Sequence, residues 1–131
     1  MTLARRWECS VIKLVFCLRR RPEMTREAFQ AYWFEKHAPL VRSHAEVLGV
    51  RRYVQVHTLA TPLNAGIQAS RNAPEEYDGV AELWFDSLEA MAANRSPEAG
   101  SAGAALLEDE RKFIDLANSP LWFAEEKPIV G

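Results

Sequence analysis

Residues 10–18 have the short, β-branched and alternating pattern of a strand, and both faces of that strand are apolar. One face carries isoleucine, leucine and phenylalanine at alternate positions, and the other carries Val15 and Cys17. A second predicted strand, residues 50–59, also has a purely apolar side. Helices can cover only one face of a sheet, and the other face would leave apolar side chains in water. The pattern therefore predicts that two copies of the sheet pack face to face in a homodimer.

The predicted elements follow the order strand, helix, strand, strand, helix, helix, strand. Thr25 has the side chain of an N-cap and precedes a predicted helix over residues 26–36. Pro39 is expected to break or kink this helix near His37, before a second helical segment that ends at about residue 48. The later strands are predicted at residues 77–85 and 121–124, and the later helices at residues 88–94 and 104–117.

This order favours the α+β class, as a ferredoxin-like β-α-β-β-α-(α)-β protomer with a four-stranded antiparallel sheet. Two such protomers, joined through their apolar sheet faces, would form a dimeric α+β barrel. We expect residues 1–131 to form a single domain. Within it, residues 1–10 are an N-terminal arm and residues 60–76 are a long loop that could hold a short helix after Thr61.

Composition and motifs exclude several classes of function. The net charge of −2 provides no field that would attract a polyanion, so nucleic acid is not an expected partner. No segment reaches the roughly 20 apolar residues of a membrane span, and we expect a cytoplasmic protein. Cys9 and Cys17 lack a CxxC spacing, and the chain has no HExxH, GxGxxG or nucleophile-elbow pattern. Neither a metal nor a cofactor is therefore predicted.

His37 and Tyr53 are the candidate catalytic residues. His37 lies where Pro39 should end the helix, and an imidazole at the mouth of a pocket can act as general acid or base. The alternative is that His37 only caps the helix C-terminus. Tyr53 can donate a hydrogen bond to a developing oxyanion, or it can be an aromatic core residue. His57 shares its strand face but lies roughly 13 Å away, which makes it a residue of the pocket rim.

Other side chains are candidates for the wall of the same pocket. Glu82 interrupts an apolar strand, so it needs a charged partner or polarises a group in the pocket. The acidic and basic run at residues 108–111 is interpreted as solvated surface. The remaining pocket-lining candidates are aromatic: Phe29, Trp33, Trp84 and Trp122.

Three segments of the chain together resemble one family. They are "IKLVFCLRRRPEMTREAFQAYWFEKHAPLVR", "GVRRYVQVHTL" and "YDGVAELWFDSLEAM". In combination they are similar to the EthD family of dimeric α+β barrel proteins. The resemblance implies a ferredoxin-like protomer, a barrel dimer, and a cavity between each sheet and its helices that accepts a small organic ligand.

The activity that the resemblance implies is less specific. Founding members accompany an ether-degrading cytochrome system, whereas other relatives are cofactor-free enzymes that act on lactones, polyketides or quinone-like rings. In the methylmuconolactone isomerase branch, the catalytic His and Tyr correspond to His37 and Tyr53 here, and a catalytic Cys corresponds to Leu83. Because Leu83 has no thiol, the isomerase reaction itself is in doubt, although Leu83 stays a candidate for the pocket wall.

The resemblance and the His/Tyr pair together predict a cofactor-independent small-molecule enzyme. Its substrate would be cyclic and oxygenated, and its reaction an isomerisation, a dehydration or an oxygenation, in a pathway that degrades xenobiotics or builds polyketides. The alternative is a non-catalytic ligand-binding or accessory protein of such a pathway. A third possibility is a haem-linked or generic oxidoreductase, by analogy with other dimeric barrels that bind haem through a histidine such as His37.

Overall fold

The structure, a computed structural model, describes residues 11–131. The predicted N-terminal arm, with Trp7 and Cys9, lies outside the described residues. The strands are β1 (Ile12–Leu18), β2 (Arg52–His57), β3 (Gly79–Phe85) and β4 (Leu121–Ala124). The α-helices are α1 (Arg26–Tyr32), α2 (Ala38–Leu48), α3 (Pro62–Ala69), α4 (Leu88–Ala93) and α5 (Pro97–Glu110), with a π-helical segment at Trp33–His37 and a 3₁₀ turn at Leu116–Asn118.

The four strands form one antiparallel sheet in the order β2-β3-β1-β4. β1 and β3 are its central pair, and each has an edge strand on its outer side. This topology confirms the predicted ferredoxin-like protomer, because the two β-α-β halves interleave in one sheet. No helix among the described residues is long and apolar enough to cross a membrane.

The register of the strands separates the two faces of the sheet. Phe16 pairs with Ala81 and with Leu121, and Ala81 also pairs with Gln55, so these four side chains share the face that the helices cover. The core on this face contains aromatic residues from the helices as well as the strands. Its buried members are Phe16, Leu18, Phe29, Trp33, Ala81, Phe113 and Ile114. On the opposite, outer face, Val56 and Trp122 are nearly half exposed.

The helix that Pro39 was expected to break widens instead. The N–H of Ala38 donates to the carbonyl of Trp33, five residues back, in place of the usual four. The wider π-helical turn lets the chain accommodate Pro39, which lies at the start of α2 where a missing N–H costs little. The same turn leaves His37 buried among the helices.

Helix α5 begins seven residues earlier than predicted. Ser96 caps it by accepting a hydrogen bond from the N–H of Ala99, and Pro97 occupies its first turn. Gly100 and Gly103 lie inside the helix, and a Cβ at either position would meet nothing within 4 Å. The predicted start at residue 104 was therefore too late, because a good N-cap and packing of the helix outweigh the low helix propensity of the two glycines.

Candidate functional site

His37 is held by a carboxylate from the far end of α5. Its Nδ1 lies 2.8 Å from Oδ2 of Asp109, and the other carboxylate oxygen accepts a hydrogen bond of 2.6 Å from the Tyr32 hydroxyl. The imidazole also packs against Phe113, with 5.1 Å between the ring centroids. The π-helical turn brings His37 towards α5, and α5 carries Asp109 into the interior, so the two helices build this pair together.

Burial and hydrogen bonding determine the protonation state of His37 and Asp109. Burial acts to raise the pKa of Asp109, but hydrogen bonds from Tyr32 and His37 outweigh it and hold that pKa below its ordinary value. Burial lowers the pKa of His37, against the favourable charge of Asp109. At neutral pH the carboxylate is therefore ionised and the imidazole neutral. Nδ1–H donates to Asp109, and Nε2 keeps its lone pair, which is the arrangement of a general base.

Three side chains of β2 form a second polar row on the helix side of the sheet. The Gln55 amide donates to the Tyr53 hydroxyl at 2.8 Å and to the Trp33 carbonyl at 2.9 Å. Its oxygen lies 2.8 Å from Nε2 of His57, and the His57 ring stacks on Trp33 at 4.6 Å between centroids. Burial raises the pKa of Tyr53, against the hydrogen bond from Gln55, so Tyr53 is a neutral hydrogen-bond donor at neutral pH.

A cavity of about 390 Å³ lies between the helix side of the sheet and α5. Its walls are mostly apolar and come from all of the strands except β2, and from α4, α5 and the end of α2. Its polar lining is limited to Asn94, Arg95, Ser96 and Glu110. The apolar lining residues include Leu14, Phe16, Leu83, Phe85, Met91, Leu106 and Leu121.

Glu110 is the half-buried acid of this cavity. Burial and the neighbouring charge of Asp109 raise its pKa to about 7, and Arg111 acts weakly in the opposite direction. The charge of Glu110 in turn contributes to the raised pKa of Tyr53, so the two groups lie close enough to interact. A carboxyl that titrates near neutrality can both give and take a proton at physiological pH.

The predicted site residues separate into two groups. Phe29 and Trp33 are fully buried in the core next to His37 and the β2 row, and Leu83 lines the cavity. Glu82, Trp84 and Trp122 point to the outer face of the sheet, opposite to His37 and Tyr53. These three residues therefore do not line the helix-side cavity.

Glu82 and Trp84 each have charged neighbours on the outer face of the sheet. Glu82 pairs with Lys13 of the adjacent strand at 3.4 Å, which is the charged partner expected for a carboxylate in an apolar strand. Trp84 lies between the cations of Lys13 and Arg52, at 5.1 and 4.6 Å from its ring, and its indole N–H donates to Glu126. A second cavity of about 410 Å³ opens beside this tryptophan.

His37 does not fit the haem-ligand alternative. A haem ligand must present its free nitrogen to a space that is wide enough for a porphyrin, whereas the His37 side chain is only 6% exposed and packs against Phe113. His37 is also absent from the lining of the cavity. Among residues 11–131, no group of three or more His, Cys, Asp or Glu side chains is arranged to hold a metal ion.

Sequence reasoning missed Asp109 and Glu110, which it assigned to solvated surface. The error came from the local charge pattern of residues 108–111. The helical spacing held the correct signal, because Ala99, Ala102 and Leu106 define the inner face of α5 at steps of three and four residues. Continuing that spacing by one turn reaches Asp109 and Glu110.

Comparisons with known proteins agree with this architecture. A family model described as the EthD domain matches residues 21–117. An EthD family protein from Bacillus halodurans is 24% identical, with a TM-score of 0.57, and the match covers 89% of this chain and 99% of that one. An EthD-like protein from Ralstonia eutropha is 18% identical, with a TM-score of 0.57 and coverage of 88% and 91%.

A more distant structure belongs to SnoaB of Streptomyces nogalater, a cofactor-independent oxygenase. It is 11% identical, with a TM-score of 0.54 and coverage of 92% of this chain and 97% of that one. No curated protein matches the chain. The structural likenesses show a shared fold, and the family model spans well over half of the sequence. The chain belongs to the EthD family.

Proposed function

We propose that this chain is an enzyme that acts on a small, oxygenated organic molecule by proton transfer, without a cofactor. The observation that carries the proposal is the 2.8 Å contact between His37 Nδ1 and the ionised Asp109. This contact orients the imidazole and leaves Nε2 as a base. Asp109 is followed directly by Glu110, which lines the cavity, so the partner of the base and the wall of the cavity share one segment of α5.

Because neither His37 nor Tyr53 lines the cavity, the proposed reaction requires the substrate to displace side chains of the cavity wall and reach His37 Nε2. His37 Nε2 then takes a proton from the carbon next to a carbonyl group of the substrate. The electron pair moves to the carbonyl oxygen, and the neutral Tyr53 hydroxyl stabilises the resulting oxyanion by donating a hydrogen bond. Return of the proton to a different atom gives an isomerisation, whereas loss of hydroxide gives a dehydration. Addition of molecular oxygen to the enolate carbon forms a peroxide, which takes up the proton and loses water to leave a new carbonyl group; this outcome is an oxygenation, and SnoaB is a cofactor-independent oxygenase.

Deuterium exchange tests the shared first step, whichever product follows. Ligands would first be found by thermal shift with lactones, naphthoquinones and polyketide-like phenols, and each hit would then be incubated in D₂O. We expect NMR to detect deuterium uptake into the ligand with the wild-type protein, with a loss of 100-fold or more in His37→Gln. His44→Gln is the matched control, because His44 lies on α2 away from the pair. Equal uptake in His37→Gln would contradict the proposal.

Ligand binding without turnover is the second candidate. It is favoured by one observation: neither His37 nor Tyr53 is among the residues that line the 390 Å³ cavity. If the thermal-shift hits bind tightly and exchange no protons with any variant, the protein is a carrier or accessory component.

We further propose that two copies of this chain join through the outer faces of their sheets. That face presents apolar side chains to solvent in one chain, with Val56 46% and Trp122 47% exposed. Cys17, Val80 and Val56 are aligned across three strands on this face. An apolar sheet face is a favourable surface for sheet-on-sheet packing. A related ferredoxin-like protein from Thermobifida fusca, 14% identical with a TM-score of 0.54 and coverage of 88% and 91%, is dimeric.

A further inference from the structure

Glu110 stands out because of its position in the cavity. It is half-buried, and its pKa is shifted by burial and by neighbouring charges, with no contribution from a hydrogen bond. The other polar residues of the lining are occupied or exposed. Asn94 donates to the Val47 carbonyl, Ser96 caps α5, and Arg95 is exposed to water. Among the lining side chains that the structure describes, Glu110 is therefore the polar group that protein partners leave available inside the cavity.

The surroundings of Glu110 raise its pKa to about 7, so a large fraction of the side chain is still neutral at pH 7 and most of it is neutral below pH 6. On its own helix, Asp109 repels its charge and Arg111 attracts it. From β2 only the neutral Tyr53 interacts with it, and the cavity side chains of β1, β3 and β4 are apolar. His37, which is neutral, and Lys112 face Asp109 at 2.8 and 3.5 Å, and the charge of Lys112 partly offsets that of Asp109. A neutral carboxyl in such a wall has an O–H to donate.

We propose that Glu110, as a neutral carboxylic acid, donates a hydrogen bond to a carbonyl oxygen of the bound molecule and so fixes its orientation in the cavity. This names the ligand class of the proposed function: a flat or elongated apolar molecule whose carbonyl group meets the end of α5. The lining of α5 runs from Ser96 to Glu110, a span of about 21 Å at 1.5 Å per residue. The ligand therefore extends along the helix, with its apolar body against Ala99, Gly100 and Leu106.

The test measures binding alone, so it is separate from turnover. The probe is 1-tetralone, a bicyclic ketone that stays uncharged at every pH used, and its partner is tetralin, the same skeleton without the oxygen. We expect wild-type protein to bind 1-tetralone more tightly than tetralin below pH 6, by about fivefold for one hydrogen bond. This preference should disappear as the pH rises above 8, because the ionised Glu110 has no proton to donate.

Two variants at Glu110 and one control complete the experiment. Glu110→Gln keeps an N–H donor that does not titrate, so the preference for the ketone should persist at pH 8.5. Glu110→Leu should lose the preference at every pH. Glu108→Gln is the control, because Glu108 is on the same helix but exposed, and it should behave as wild type. A preference that Glu110→Leu retains, or wild-type protein that binds both probes equally below pH 6, would overturn the assignment.

The location of the probe is tested separately. Leu106 lines the cavity four residues before Glu110, about 6 Å along the helix, whereas Leu107 lies outside the lining and is 40% exposed. We expect Leu106→Trp to weaken 1-tetralone binding tenfold or more, because the larger side chain fills the space beside Glu110, and Leu107→Trp to leave it unchanged. Equal affinity in Leu106→Trp would show that the ketone binds elsewhere and would refute the role of Glu110. Failure of deuterium exchange alone would leave this result intact.

Discussion

Asp109 Oδ2 and His37 Nδ1 lie 2.8 Å apart, although 72 positions separate the two residues along the chain. This contact joins the last turn of α5 to the π-helical turn between α1 and α2. It orients the candidate base and, together with the hydrogen bond from Tyr32 to the same carboxylate, links α5 to the end of α1 and the π-helical turn. The pair therefore has both a structural and a chemical consequence, and the two can be measured separately.

The chemical consequence is tested by the titration of His37 in Asp109→Asn. The charge of Asp109 raises the pKa of His37, against the dominant effect of burial. Removing this charge should move the pKa of His37 still further below its ordinary value. The measurement is an NMR titration of the imidazole, with Glu108→Gln as the control. An unchanged titration would mean that the carboxylate does not interact with the ring.

The structural consequence of the same substitution is a loss of stability. Asp109 accepts hydrogen bonds from Tyr32 and His37 in a buried setting, so an amide in its place leaves one donor without an acceptor. We expect the free energy of unfolding at pH 7 to fall by about 2–3 kcal/mol. Folding lowers the pKa of Asp109, so this stabilisation is complete at a pH above the ordinary pKa of an aspartic acid. It is lost as the pH falls through the lower pKa that Asp109 has in the folded protein. Urea unfolding at pH 7 and at pH 3 measures the difference.

Glu110→Gln should have the opposite dependence on pH. Folding raises the pKa of Glu110 to about 7. The protein therefore has the full stability of the neutral side chain below the ordinary pKa of a glutamic acid, and this contribution to stability is lost as the pH rises through 7. A glutamine stays neutral, so the variant should gain stability relative to wild type between pH 5 and pH 8.5, by about 1–3 kcal/mol. Thermal unfolding across this range provides the measurement. A constant difference between the two proteins would contradict the raised pKa.

Gly79→Ala tests the packing of Trp33 on the sheet. A Cβ at position 79 would lie within about 3 Å of two Trp33 ring carbons and of the Val56 carbonyl, so the indole must move. We expect a loss of about 1–3 kcal/mol, which is typical of an overfilled core. Gly100→Ala is the contrasting change, because its Cβ meets nothing and alanine favours the helix by roughly 0.5–1 kcal/mol. Denaturant midpoints that shift in the same direction for both variants would contradict this packing.

Val56→Lys tests the proposed dimer. A lysine on the outer face would place a charge in the middle of an apolar interface, and the dimer should dissociate. We expect light scattering to give twice the chain mass of 14.8 kDa for wild type and a single chain mass for the variant. Leu63→Lys is the control, because Leu63 is also exposed, at 78%, but belongs to α3 and not to the sheet. A wild-type protein with the mass of one chain would contradict the dimer.

The sequence by itself determined the class of fold and the order of its elements. Strands alternate with a period of two and helices repeat at three and four residues, so the faces of β1 and the N-caps Thr25 and Thr61 can be identified without a structure. The consequences of Pro39 and of the two glycines in α5 could not be predicted in this way. Packing against neighbouring elements outweighed the local preference at each position.

Only the tertiary structure decided which side chains form the site. Asp109 and Glu110 belong to a charged run whose local pattern indicates a surface, yet α5 turns both of them inwards, towards His37 and the cavity. The pairing of β3 with β1 and β2 in turn placed Trp84 and Glu82 on the opposite face from Tyr53. A hydrogen bond between residues 37 and 109 depends on how two helices cross, and chain order carries no direct signal of that crossing.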